Sequence, residues 1–236
     1  MQHSSHHYIL KISCPATSGI VAAVTTFLAQ SGCYISEMAQ FDDEFHERFF
    51  MRAVFRGNSG GELDLAQIEK GFAGVAERFA MQWELHSQAQ PMRVLLMVSK
   101  YDHCLNDLLY RYHKGEMHMQ ITAIVSNHLD LRPMAEREGI RFIYLPVNKD
   151  NKAQQEAELL KIVQDTQTEL VVLARYMQIL SDDLCRHLNG RAINIHHSFL
   201  PGFKGAKPYH QAWDRGVKLI GATAHYVTSD LDEGPI

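Results

Sequence analysis

The chain has 236 residues, 46% of them hydrophobic and 21% charged, with a formal net charge of −4. This is ordinary globular composition, with core material for one large domain or for a small domain joined to a medium one. The acidic balance gives no footprint for nucleic acid or an anionic membrane surface. No apolar run reaches the roughly 18 residues expected of a membrane span. The N-terminal Met1-Gln2-His3-Ser4-Ser5-His6-His7 lacks the charged-then-apolar plan of a signal peptide. Cys14, Cys33, Cys104 and Cys185 lie far apart with no Cys-x-x-Cys pair, so reduced thiols in a cytoplasmic protein are expected.

In chain order, Tyr8-Ile9-Leu10-Lys11-Ile12-Ser13-Cys14 reads as a first strand. Ile20, Val21, Val24, Phe27 and Leu28 recur at helical spacing over residues 19–31, with Ser18 as N-cap and Gly32 as stop. Residues 34–41 and 49–55 read as a hairpin around a polar turn at 42–47. Gly60-Gly61 breaks the chain, and a helix over 63–79 carries Leu65, Ile68, Phe72, Val75 and Phe79 on one side. Met81-Gln82-Trp83-Glu84-Leu85 closes a βαββαβ unit of ferredoxin-like order, spanning residues 1–86. Residues 87–91, Ser-Gln-Ala-Gln-Pro, read as a linker.

From residue 92 to 236 the rhythm changes. The runs at 93–99, 121–126 and 170–174 are continuously apolar, which suits strands buried on both faces of a parallel sheet. Helical stretches at 106–112, 131–138 and 152–166 separate them. Alternating strands and helices predict a doubly wound, mainly parallel sheet, with chemistry at the carboxyl ends of its strands.

One such strand leads into Asn194-Ile195-His196-His197-Ser198-Phe199-Leu200-Pro201. Residues i and i+2 of an extended chain share a face, so Asn194 and His196 converge. A loop bearing Asp232, in Leu231-Asp232-Glu233-Gly234-Pro235, could close over them. An amide donor, an imidazole and a carboxylate suit transfer or hydrolysis of a carbonyl group, where an oxyanion is held and protons move. His210 and His225 form no metal-ligand pattern with His196, and no metal is expected.

These segments carry a resemblance to the formyltetrahydrofolate deformylase family. In the first half it runs through Cys14-Pro15, Ser18-Gly19-Ile20-Val21 and Arg48-Phe49-Phe50-Met51-Arg52. In the second it runs through Leu173-Ala174-Arg175-Tyr176-Met177-Gln178-Ile179-Leu180 and the Asn194 segment. It continues through Gly205-Ala206-Lys207-Pro208-Tyr209-His210-Gln211-Ala212, Ile220-Gly221-Ala222-Thr223-Ala224-His225-Tyr226-Val227 and the Asp232 loop. His197 and the Gly205 run resemble the hydrolase branch of the wider formyltransferase group. Ser99-Lys100-Tyr101-Asp102-His103 offers no glycine-rich phosphate cradle, which favours water as the acceptor.

The resemblance implies an N-terminal ACT domain followed by a formyltransferase-like domain that hydrolyses 10-formyltetrahydrofolate to formate and tetrahydrofolate. Asn194 would donate to the formyl oxygen, His196 would stabilise the oxyanion and steer the proton of Asp232, and Asp232 would be the general acid/base. Tyr176, Met177, Gln178, Ile179, Leu180, Val227 and Thr228 would line the folate pocket. Folate is the substrate, and no cofactor is implied. The ACT half implies a homo-oligomer, dimer or tetramer, and an amino-acid effector near Ser18, Gly19, Ile20, Tyr34 and Ile35. Ala16 and Cys33-Tyr34 depart from the family pattern there, which leaves effector binding open. Two other functions stay open: formyl transfer to an amine, and a non-catalytic folate- or amino-acid-sensing protein. The family pattern also leads one to expect a further strand and helix after Ile236, and an uncovered sheet face without them.

Overall fold

The structure is a computed structural model that describes residues 6–205 and 207–236. His3 of the histidine-bearing N-terminus and Ala206 of the Gly205 run lie outside the described residues. The chain divides into two compact units, Met1–Gln90 and Pro91–Ile236.

The first unit runs β1 (Tyr8–Pro15), α1 (Ile20–Gln30), β2 (Cys33–Asp43), β3 (Arg48–Gly57), α2 (Leu65–Arg78) and β4 (Gln82–Ser87). The strands form one antiparallel sheet in the order β2-β3-β1-β4. This is the βαββαβ topology expected from the periodicities. Along β1, Tyr8, Leu10, Ile12 and Cys14 point inward, and Ile20, Val24 and Leu28 of α1 cover them. Phe72 of α2 sits at the centre, edge-on to Phe27 at 5.4 Å and to Trp83 at 5.0 Å.

Three local expectations are corrected. Ser18 does not cap α1; Gly19 occupies that position in a left-handed conformation, with no side-chain cap bond. Asp42 and Asp43 are not in the turn but pair with Phe49 and Arg48 at the end of β2. Ser87 is not linker but the last residue of β4, opposite Tyr8.

The second unit runs β5 (Met92–Val98), α3 (His103–His113), β6 (Met119–Ser126), α4 (Arg132–Arg137), β7 (Phe142–Tyr144) and α5 (Lys152–Asp165). It continues with β8 (Leu170–Leu173), α6 (Asp182–His187), β9 (Ala192–His196), α7 (Pro208–Asp214) and β10 (Thr223–Tyr226). The sheet order is β10-β9-β8-β5-β6-β7. All neighbours are parallel except β10, which runs antiparallel to β9.

Both faces of the central strands are covered, which explains the unbroken apolar runs, while at the β10 edge Ala224 and Tyr226 are exposed. Leu95 and Met97 of β5 pack with Leu159, Ile162 and Val163 of α5 and Leu184 of α6. Val94, Leu96 and Val98 face the other way, toward Leu105 and Leu109 of α3 and Ala135 of α4. Strands added after β5 go to one side and those added after β8 to the other. The order therefore reverses between β5 and β8, and the crevice beyond their carboxyl ends is where an open sheet of this kind takes its ligand. No helix among the described residues is long and apolar enough to cross a membrane.

Phe72 joins two aromatic edge contacts to full burial, so Phe72→Ala should destabilise the first unit by about 3–5 kcal/mol. Urea unfolding monitored by tryptophan fluorescence, with Trp83 in contact with the mutated site, reads that loss.

Candidate active site

β9 and β10 build the floor of the site. Asn194 and His196 project from one face of β9, and the antiparallel register sets His225 opposite Asn194 and Thr223 opposite His196. Directly opposed residues share a face, so four polar side chains converge. Thr223 holds the following turn: its hydroxyl donates to the Ser198 carbonyl (2.7 Å) and accepts from the Leu200 N–H (3.1 Å).

The roof is the loop after β10, and it is fastened back onto the sheet. Val227 N–H donates to the Ala192 carbonyl (2.9 Å) and Tyr226 N–H to the Pro235 carbonyl (2.8 Å). Gly234 makes the second closure feasible, because a Cβ there would collide with the Tyr226 carbonyl. The loop presents Asp232 in a left-handed conformation (φ 58°), which aspartate tolerates better than most residues.

Asp232 is buried and its two oxygens have separate partners. Oδ2 accepts from the Gly205 N–H at 2.9 Å. Oδ1 lies 3.4 Å from His196 Nδ1 and 3.7 Å from His225 Nε2. Each imidazole is fixed at its far nitrogen by a backbone carbonyl: His196 Nε2–H donates to Phe203 (2.8 Å) and His225 Nδ1–H to Tyr226 (2.9 Å). A carbonyl only accepts, so those two nitrogens carry protons. The nitrogens left over both face one carboxylate oxygen. The Asn194 amide occupies the His225 lone pair, so His196 Nδ1 is the nitrogen placed to share a proton with Oδ1. Asn194 donates one amide hydrogen to His225 Nε2 (3.2 Å), which leaves its second N–H for another acceptor.

These residues open onto a cavity of about 430 Å³. All seven expected folate-wall positions line it: Tyr176, Met177, Gln178, Ile179, Leu180, Val227 and Thr228. The 175–180 segment is tied to the end of β5 at the switch point. Met177 N–H donates to Ser99 Oγ (3.1 Å), and Ser99 donates on to Asn127 Oδ1 (2.6 Å). Burial, with a smaller contribution from the Glu156 carboxylate, pushes the Tyr176 phenol up to about 12, so it stays a neutral donor. His197 is held below the usual imidazole range, first by burial and then by the Arg175 charge. Its ring stands edge-on to Tyr209 at 5.5 Å.

The five expected effector positions belong to the first unit. Ile20 is a core residue at 2% exposure, Ile35 packs partly against that core, and Tyr34 is exposed beneath Arg56, whose guanidinium carbon lies 4.6 Å from the ring centroid. Among the described residues no group of three or more His, Cys, Asp or Glu is placed to hold a metal ion.

Sequence reasoning missed His225 and the Gly205 N–H as parts of the cluster. The alternation of Thr223 and His225 was a signal for a shared face. Which strand that face would meet depended on register, which the sequence does not carry.

The family model for formyl transferases matches residues 92–236. The chain is 52% identical over 229 residues to the formyltetrahydrofolate deformylase of Corynebacterium sp. (strain P-1), covering 97% of this chain and 80% of that one. It is 45% identical to the formyltetrahydrofolate deformylase of Bacillus subtilis, covering 96% and 76%. The crystal structure of formyltetrahydrofolate deformylase from Burkholderia mallei superposes with a TM-score of 0.90 at 54% identity, covering 98% of this chain and 81% of that one. With both units spanned by these matches, the chain belongs to the formyltetrahydrofolate deformylase family.

Proposed function

We propose that this chain hydrolyses 10-formyltetrahydrofolate with water, releasing formate and tetrahydrofolate. The observation that carries the reading is Asp232 Oδ1 flanked by two imidazole nitrogens beside a free Asn194 amide hydrogen. The cavity walls of Tyr176, Met177, Ile179 and Leu180 suit a flat, partly apolar heterocycle.

In this mechanism the formyl oxygen accepts from Asn194 Nδ2–H. Asp232 removes a proton from water as its oxygen bonds to the formyl carbon. The carbonyl π pair moves onto oxygen, and the amide holds that charge. The proton then passes to N10, the C–N bond breaks with its electron pair going to nitrogen, and the formic acid so formed loses its remaining proton to solvent as it departs as formate. His196 steers the proton of Asp232, and His225 holds the Asn194 amide in place. The His196 imidazolium, when formed, also stabilises the nearby oxyanion. The route moves only protons and a formyl group between groups already present, so we assign it no metal and no cofactor.

We further infer that the first unit is an ACT module that brings copies of the chain together as a dimer or tetramer in the cytoplasm. Ser18, Gly19, Ile20, Tyr34 and Ile35 mark where an amino-acid effector would bind. Ile20 would contribute backbone alone, since its side chain is committed to the core.

Formate release without any amine acceptor tests the main reading. Asp232→Asn should lower kcat by about 10²–10⁴, and Asn194→Ala by roughly 10²–10³. Formate appearing only when an amine is supplied would overturn it in favour of transfer. His225→Gln should cost about two- to tenfold, the value of one neutral hydrogen bond, that from the Asn194 amide.

A further inference from the structure

The residue that the mechanism leaves unused is Arg175. It stands two residues after β8, at the topological switch between β5 and β8, where ligands of such sheets bind. It adopts φ 63°, a left-handed conformation that a long side chain occupies only when the surroundings impose it. Its Nε is buried without a hydrogen-bond partner. Its guanidinium carbon lies 5.4 Å from the Tyr101 ring centroid, a contact that orients the fork and neutralises no charge. No carboxylate is paired with it among the described residues, whereas Arg111, Arg132, Arg137 and Arg186 each have one.

Arg175 also lines the cavity that holds Asn194, His196 and Asp232. Among the described lining residues it is the one arginine or lysine, and two carboxylates, Asp230 and Asp232, line the same cavity. Burial and the Arg175 charge disfavour the cationic form of His197, so that neighbour does not share the cationic role. Hydrolysis of a formamide turns a neutral group into an anion inside this space. Newly formed formate is repelled by Asp232 and has one fixed cation to move toward.

We infer that Arg175, oriented by Tyr101, is the binding site for the formate product, the planar fork receiving the carboxylate once the C–N bond has broken. Arginine suits this task because its parallel N–H groups match a carboxylate in two-point contact. The inference rests on the hydrolytic reading above. It makes Arg175 a product-binding residue, distinct from the groups that move protons.

The test is product inhibition by sodium formate, read from tetrahydrofolate formation in the full chain. Wild type is compared with Arg175→Gly, Arg175→Lys and Arg175→Met. Glycine accepts φ 63° without strain, so Arg175→Gly is expected to fold, and its melting temperature checks this. The formate inhibition constant should rise about ten- to a hundredfold in the glycine and methionine variants, matching loss of a charge-assisted contact. The lysine variant should fall between, keeping the charge without the fork. Wild type that turns over but shows no inhibition by formate would overturn the inference. So would an inhibition constant unchanged in a folded, active Arg175→Gly variant, since a merely structural arginine would alter rate or stability and leave formate affinity alone. Inorganic phosphate run in parallel separates anion classes: Arg175-dependent inhibition by phosphate at lower concentration than formate would assign the subsite to another ligand. Absence of tetrahydrofolate formation by wild type is a different failure, that of the hydrolytic reading itself.

Discussion

Asp232 is the constraint around which the second unit is arranged. A carboxylate at 6% exposure is expensive to keep ionised unless hydrogen bonds and positive charge replace its water. The Gly205 N–H supplies one replacement at Oδ2, and the His196 imidazole stands 3.4 Å from Oδ1 to supply another. Neither that ring nor His225 can turn away, because a backbone carbonyl holds the opposite nitrogen of each. The environment of the carboxylate is thus set by main chain at three points, and only the shared proton is free to move. That division suits a group that must take and return a proton without rearranging its surroundings.

The sheet explains why the cluster forms where it does. β9 places Asn194 and His196 by alternation, a property of any strand, but one strand alone gives neither His225 nor Asp232. Both arrive through β10, an antiparallel edge strand on an otherwise parallel sheet. Its reversed direction lets a short excursion return at once over the end of β9, where a right-handed helical crossover would carry the chain away. The Lys204–Glu233 pair at 2.7 Å adds a clip between the two segments that meet at Asp232. Both side chains are well exposed, so its contribution is at most about 1 kcal/mol, and the closures through Tyr226 and Val227 matter more.

How far the sequence revealed this depends on whether a feature was local. Strands with continuous apolar runs and helices of eleven or more residues were legible, because burial on both faces or on one stripe writes a period into the chain. The three-residue β7 was not, since Phe142 and Ile143 are only partly buried and Tyr144 is exposed. α6 was missed although Ser181 caps it by accepting from the Leu184 N–H; six residues are too few for a period to emerge. α7 was missed although Pro208 stands at its start. In the site, Asn194 and His196 follow from spacing and Asp232 from family resemblance. His225 required strand register, and the Gly205 N–H required a main-chain position that no side-chain pattern reports.

Two non-glycine residues in left-handed conformations, Asp232 (φ 58°) and Arg175 (φ 63°), enter the same cavity from different loops. Each such conformation costs on the order of 1–3 kcal/mol, and a fold keeps it only where anchoring contacts exceed that cost. For Asp232 the anchors are visible in the Gly205 bond and the Tyr226–Pro235 closure. For Arg175 the backbone is held just downstream, by Met177 on Ser99, while the side chain keeps a buried donor unsatisfied. The first loop is strained and satisfied, whereas the second is strained and still has a donor to give. A strained loop whose side chain is fully satisfied is a finished piece of scaffold, and one that holds back a buried cationic donor at a sheet's switch point is organised around something that arrives later.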